Sequence, residues 1–504
     1  MSRLRFWLYR NILAFFTLLS FRLQKVYPLE VPVDGTVEFR PYAEICPDMP
    51  IKGLYLPTTF PPADRASKRL GRIRREGTLI KFLRWVAPKD TRPVPTDERR
   101  FLRTVYPWFF RKAWPTAPKL PAALANTDDL IAELATRGPF ASGLRRVGDD
   151  RYEFGSDWVS GYPAAPGLAQ PGGVASLVVR EGRLVTQTVA SLPTNDGEAG
   201  RAGQAGQART LIAGVNEELT IFRHNVDVHL SMLTPFALAS NNRLSAAHPV
   251  RRLLHHCFDT VLIGNLELAN AQLSGPRGFL ANTFSHQADV LLTMVEDHLA
   301  HFDFWDYEPP TQFARRGTTS TPFAYPYREN VMSFWNITRD YVDRYLALYY
   351  DGDTAVASDA ELVRWVDKLN RLMPNGVGDE LTRDLLGRVC ATLIHVSTVE
   401  HDILNNVVWD YTTLGWVTPT VVPLSGESMD QRRSFDLLAT LIGTWKPYNM
   451  LLTADVPKLA LDAQAASVMA DWIANLSRLQ GELGTRPHDP SLTYPVGLNP
   501  SISN

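Results

Sequence analysis

Over the second half of the chain apolar residues recur every three to four positions, the spacing that lays one stripe along a helix. That pattern predicts helices over about 210–243, 248–273, 281–300, 328–350, 358–372, 379–412, 427–445 and 456–484, with a further one around Leu130–Leu134. Strict alternation is confined to 150–193, where Val174–Val179 and Leu184–Leu192 predict a small hairpin turning at Glu181-Gly182. Residues 30–60 are Pro-rich and irregular, 86–120 alternate proline with basic residues and read as extended or loop, and the Gly/Ala-rich 193–208 reads as a loop or linker. No segment repeats with the period of a solenoid. The expected fold is therefore mainly α with a small β hairpin region. It divides into an N-terminal basic, aromatic and Pro-rich segment, 1–120, and a large helical domain, 121–504.

Composition narrows the possibilities. With 504 residues, 45% hydrophobic and 21% charged, the chain is neither a disulfide-stapled module nor disordered. Cys46, Cys257 and Cys390 lie far apart and form no CxxC pair, so a reducing, cytoplasmic setting is the expectation. Abundant alanine and arginine with scarce lysine suggest a GC-rich, bacterial source. The formal net charge of −1 hides an asymmetry, because residues 61–120 hold 16 Lys/Arg against 5 Asp/Glu. No nucleic-acid-binding motif accompanies that charge, and nucleic acid is not an expected partner. Phe6–Phe21 is an apolar run interrupted by Arg10 and Asn11 and flanked by Arg3, Arg5, Arg22 and Lys25. It is short for a spanning helix and is followed by no small-residue cleavage site. It reads either as an amphipathic helix making peripheral membrane contact or as a core helix flanked by solvated charges.

The histidines carry the chemistry. There are 11, none precedes His224, and five fall within 224–256. His224 and His229 are five apart, which on an ideal α-helix leaves them about 140° apart on the wheel. A π-turn, bonding i to i+5, would bring them onto one face. His401 and Asn405 are four apart and share a helical face. Such an N/O set suits iron or manganese, although buried histidines are more often hydrogen-bonded core residues. His255, His256 and Cys257 lack a second ligand pair at zinc spacing. His248, before Pro249, reads as a helix-start hydrogen bond, Tyr349 and Tyr350 as core, and Asp351-Gly352-Asp353 as a turn rather than a calcium loop.

Several ordered segments resemble the lipoxygenase family. HNVDVHLSMLTPFALASNNRLSAAHPVRRLLHHCFDTVLIGN, 224–265, is similar to that family's paired histidines, its Pro-Phe step and its L-S-x-x-H-P stretch. YEPPTQFARRG (307–317), YPYREN (325–330), the FWNITRDYVDRYLALYY run from Phe334, HDILNNVVWDY (401–411) and the terminal PSISN continue the resemblance. No match to the family's β-sandwich lipid-targeting domain is found. The resemblance implies a non-haem iron, with manganese as second choice, held by His224, His229, His401, Asn405 and the carboxylate of Asn504. It implies dioxygenation of a polyunsaturated fatty acid by O2 at a cis,cis-1,4-pentadiene. The position linked to product stereochemistry falls at Ile263 or Gly264, in the substrate and oxygen channel.

The chain departs from the family pattern at several places. Pro235 follows His229 by six positions, where the family has ten; in an alternative register Leu219 and His224 occupy the paired positions and His229 is no ligand. Thr234 stands where the family has an acid, Asn242 where it has an arginine, and Val408 where it has a glutamine. Two other function classes follow from these departures: a lipid-binding or regulatory protein with a degraded metal site, and an enzyme that rearranges or cleaves hydroperoxides.

Overall fold

The computed structural model describes residues 28–61, 98–113, 127–190, 204–278, 280–406, 414–424 and 450–484, with positions 93, 94, 124, 429, 430 and ten between 4 and 19. Near the start, Phe39–Pro41 (β1) pairs antiparallel with Tyr55–Pro57 (β2). Glu98–Val105 (α1) and Trp108–Ala113 (α2) are helical, correcting the extended reading of 86–120. The prolines there act as punctuation. The stretch between Pro95 and Pro107 contains none, and Pro107 stands just before α2, where a missing N–H does no harm.

The hairpin turning at Glu181-Gly182 is present, as half of a four-stranded antiparallel meander: Arg145–Gly148 (β3), Arg151–Ser156 (β4), Gly173–Arg180 (β5) and Arg183–Ala190 (β6). Glu181 and Gly182 take φ of 50° and 72°, the paired left-handed conformation of a two-residue turn matching strand twist. Strand β3 escapes the alternation rule because Arg145, Arg146 and Val147 are all exposed. Helix α3, Leu130–Thr136, is fastened to this sheet by Asp129. Its Oδ1 caps Ala132 N–H at 3.0 Å and accepts the Thr186 hydroxyl at 2.6 Å, while its Oδ2 accepts Thr186 N–H at 2.7 Å.

The rest of the described chain from residue 204 onward is mostly helical. Gln204–Glu217 (α4) runs into a 16-residue π-helical segment, Glu218–Leu233, and on into Thr234–Arg243 (α5). The expected helix over 248–273 is broken into Pro249–Leu254 (α6), a 3-10 turn at His255–Phe258 and Val261–Ala271 (α7). The break sits at Thr260, whose φ of 67° no continuous helix accommodates. Ala288–Ala300 (α8), Pro326–Ala347 (α9), Ala360–Leu372 (α10) and Arg383–His395 (α11) follow. A second π segment, Val396–Glu400, joins α11 to His401–Asn406 (α12), and Ala463–Gly484 (α13) closes the described chain. The expected helix at 427–445 lies outside the described residues except for Met429–Asp430, which pairs as a strand with Pro93–Val94. Helix α9 packs centrally against α11 and α13. Tyr341 of α9 stacks on Trp472 of α13 with centroids 4.4 Å apart, and the Trp472 indole N–H donates to Thr338.

Every residue from Leu219 to Leu233 is buried. Burial on all faces is costly for the polar side chains of this segment unless each finds a partner. Those partners build the site.

Candidate metal centre

The first π segment brings His224 and His229 onto one side. Its i→i+5 bonding, which ends with the Thr234 N–H on the His229 carbonyl, stacks residues five apart. The second π segment ends at Glu400 and delivers His401 to the same point, its own N–H reaching back to the Val396 carbonyl. His229 Nε2 lies 3.2 Å from His224 Nε2 and 3.2 Å from His401 Nε2. The three residues offer ligand atoms that all lie within 4.8 Å of one another, and all three are buried. Nitrogens about 2.1 Å from one ion at angles between right and tetrahedral stand roughly 3.0–3.4 Å apart, so the spacing fits a shared cation.

His229 has a defined tautomer. Asn265 on α7 points its amide nitrogen at the His229 carbonyl (2.7 Å) and at the Thr234 hydroxyl (2.8 Å), leaving its Oδ1 to accept from His229 Nδ1 at 2.8 Å. With the proton on Nδ1, the Nε2 lone pair faces the other two imidazoles. The Thr234 hydroxyl donates to the His229 carbonyl at 2.8 Å, so the residue that replaces the family's acid ties off the turn bearing the second histidine. Burial pushes His229 down to about 4, partly opposed by the Asn265 bond. Burial and the neighbouring imidazoles hold His224 and His401 well below the usual histidine value. All three are therefore neutral at pH 7, the form that binds metal. The Nδ1 atoms of His224 and His401 are buried without a hydrogen-bond partner.

Behind the histidines a buried ion pair ties the two π segments together. Arg223 Nη2 lies 2.7 Å from Glu400 Oε1, its Nη1 donates to Ser142 Oγ at 3.2 Å, and its guanidinium stacks 5.2 Å from the Tyr307 ring centroid. Burial alone would lower the pKa of Arg223, but Glu400 outweighs it and raises it. Asp227, also on this side, accepts from His298 Nε2 at 2.8 Å and from the Tyr307 hydroxyl at 2.6 Å. Arg223, Asp227, His298, Tyr307 and Arg316 line a polar cavity of about 210 Å³.

The other expected site residues fall as follows. Asn405 is half-buried on α12, one turn beyond His401 and on its face. Asn504 and Val408 lie outside the described residues. Ile263 is buried and Gly264 half-buried on α7, immediately before Asn265. Leu219, the alternative first ligand, packs in the main hydrophobic core, and the structure gathers His224 and His229 instead. His248 caps α6, accepting from Val250 N–H at 3.2 Å, and bonds Asp359 through Nε2. Asn242 exchanges both backbone hydrogen bonds with Val37. Sequence reasoning assigned no role to Asn265, Arg223 or Glu400, since partners 36 and 177 positions apart leave no local spacing signal.

A lipoxygenase family model matches residues 216–434, the stretch holding all three histidines. Over that stretch the chain is similar to the lipoxygenase family. Among curated proteins, the seed linoleate 9S-lipoxygenase of Glycine max is 24% identical over 366 residues, 62% of this chain and 41% of its own length. The linoleate 9S-lipoxygenase of Phaseolus vulgaris is 27% identical over 39% of this chain and 29% of its own. The hydroperoxide isomerase ALOXE3 of Mus musculus is 28% identical over 31% of this chain and 22% of its own. The chain thus spans less than half the length of these lipoxygenase relatives. An anaerobic crystal structure of a deletion variant of a lipoxygenase in complex with arachidonate superposes with a TM-score of 0.72 at 14% identity, covering 98% of this chain and 81% of that one. A calcium-dependent 11R-lipoxygenase superposes at 0.67 and 14% identity, over 84% and 69%. At such identity the likeness is one of fold, and the lipoxygenase fold is the one observed.

Proposed function

We propose that this chain is a metal-dependent dioxygenase of polyunsaturated fatty acids. The convergence of three neutral, buried imidazole Nε2 atoms within a stretch similar to the lipoxygenase family carries this reading. His224, His229 and His401 would hold the ion, with Asn405 and the carboxylate of Asn504 as oxygen donors. Iron is the ion the resemblance implies, and manganese accepts the same donor set. When bound, such an ion supplies the one-electron oxidation of a methylene between two cis double bonds, with dioxygen adding to the carbon radical so formed. The chain's own part is to keep the imidazoles neutral, to fix the His229 tautomer through Asn265, and to exclude water by burial. Linoleate and arachidonate are the substrates to try first, because relatives and a structural neighbour are named for them.

The test joins elemental analysis with two assays. The expected result is a transition metal near one equivalent per chain, lost in His224→Ala, His229→Ala and His401→Ala but retained in Leu219→Ala, which costs only about 2–5 kcal/mol of stability as a packing change. Oxygen uptake with linoleate is expected in parallel with metal content. Loss of added hydroperoxide without oxygen uptake would favour the isomerase reading, which the ALOXE3 likeness makes the second choice. A folded wild-type protein free of transition metal after growth in iron- and manganese-supplemented medium would overturn the enzyme reading.

A further inference from the structure

The described positions between 4 and 19 are helical. Leu4, Phe15, Leu8, Leu19 and Ile12 fall, in that order, within about 80° of arc on an ideal helix. All five are exposed, Leu4 by 62% and Phe15 by 56%. Leu18, about 40° beyond Leu4, and Ala14, about 80° beyond it, are buried, and Arg10 Nη1 donates to the Arg103 carbonyl at 3.2 Å. One hydrogen bond thus joins the helix to α1, and the five exposed residues form an apolar ridge along it. Two residues beyond the end of α1, helix α2 begins with Trp108, which is 67% exposed and carries the Lys112 ammonium 5.7 Å from its ring centroid. Arg99, Arg100 and Arg103 on α1 are exposed beside it.

We propose that this ridge, with the basic corner of α1 and α2, is the surface by which the protein seats on a bilayer of anionic phospholipid. An apolar stripe one helix wide, rimmed by arginine, lysine and exposed tryptophan, matches the chemistry of the headgroup–acyl boundary, where rings and aliphatic chains sink and cations meet phosphates. No helix among the described residues is long and apolar enough to cross a membrane. A second copy of the chain is a poor occupant. An isologous contact would face this patch with the same patch, which offers its arginines no anionic partner. The surface stands independently of the oxygenation chemistry, because none of these residues touches the histidine cluster.

The test is sedimentation of the full-length protein with vesicles, either phosphatidylcholine alone or equal parts phosphatidylcholine and phosphatidylglycerol. Wild type is expected to partition at least about tenfold more strongly onto the anionic vesicles, with binding that falls as salt rises. Leu8→Asp with Ile12→Asp should cut partitioning by more than about tenfold at unchanged thermal midpoint, since both side chains are exposed. Arg99→Gln with Arg100→Gln and Arg103→Gln should weaken it by roughly fivefold per charge and flatten the salt dependence, and carries the test alone should the aspartate variant fail to fold. Equal partitioning onto neutral and anionic vesicles, undiminished binding by the glutamine variant, or a wild-type dimer that the aspartate pair converts to monomer without any vesicle binding would each overturn the proposal.

Discussion

His229 is the most constrained of the three histidines. Its Nδ1 proton is accepted by Asn265, its carbonyl receives the Asn265 amide and the Thr234 hydroxyl, and its Nε2 meets the other two rings. Asn265→Ala removes the acceptor that fixes the tautomer and leaves a buried N–H unpaired. We expect metal affinity to fall by about 10–100-fold, the range for loss of a hydrogen bond to a liganding imidazole. Asn265→Asp keeps an acceptor at the same place and should retain more affinity than the alanine variant. Isothermal titration of the chelator-treated protein checks the order; equal affinities in alanine variant and wild type would refute the role. The histidine pair and His401 were legible in the chain because spacing and motif both point at them. Asn265 was not legible as a partner, since it reaches His229 only through the packing of α7 against the π segment.

At the scale of elements, the Arg223–Glu400 pair decides how the two π segments meet. Each residue immediately precedes a histidine of the cluster, so the pair sets the rings' relative placement from behind. Glu400→Gln removes the charge while keeping the shape, stranding a buried guanidinium. The expected loss is about 3–5 kcal/mol by urea denaturation, together with lower metal occupancy. A change under about 1 kcal/mol would mean that water replaces the carboxylate. Helix periodicity found the long described helices of the second half but not the short ones at Pro309–Arg315 and Asp353–Ser358, and the alternation rule found the β5–β6 hairpin. What it missed has physical causes: β3 carries no apolar face, α1 and α2 hide between prolines that delimit them, and Thr260 breaks a helix without any glycine or proline to announce it. The π character of Glu218–Leu233 was readable only through the five-residue histidine spacing, which needs such a turn if the rings are to converge.

For the whole molecule, acidity should act through its buried histidines. Burial lowers His256 to about 3 and His395 to about 3, against about 6.5 in the unfolded chain. Below pH 6.5 the unfolded state takes up protons that the folded state refuses. The stability these groups contribute is complete above 6.5 and is lost as pH falls toward 3, by about 2 kcal/mol each at pH 5. His286 and His298 act in the opposite sense: burial lowers them, but Glu217 and Asp227 outweigh it and raise them. Their contribution is complete below 6.5 and fades as pH rises through their raised values. In metal-free protein His224, His229 and His401 join the depressed set, so the urea midpoint should drop between pH 7 and pH 5, and a flat or rising midpoint would contradict the burial argument.

The cluster also spans a long stretch of chain, with 172 positions between His229 and His401. At a synthesis rate of roughly 5–20 residues per second, His401 leaves the ribosome about 9–34 s after His229. For that interval the nascent chain exposes a histidine pair without its third member. The three-imidazole arrangement exists only once the α12 end has docked, so metal uptake by the chain should follow, not precede, the release of His401 from the ribosome.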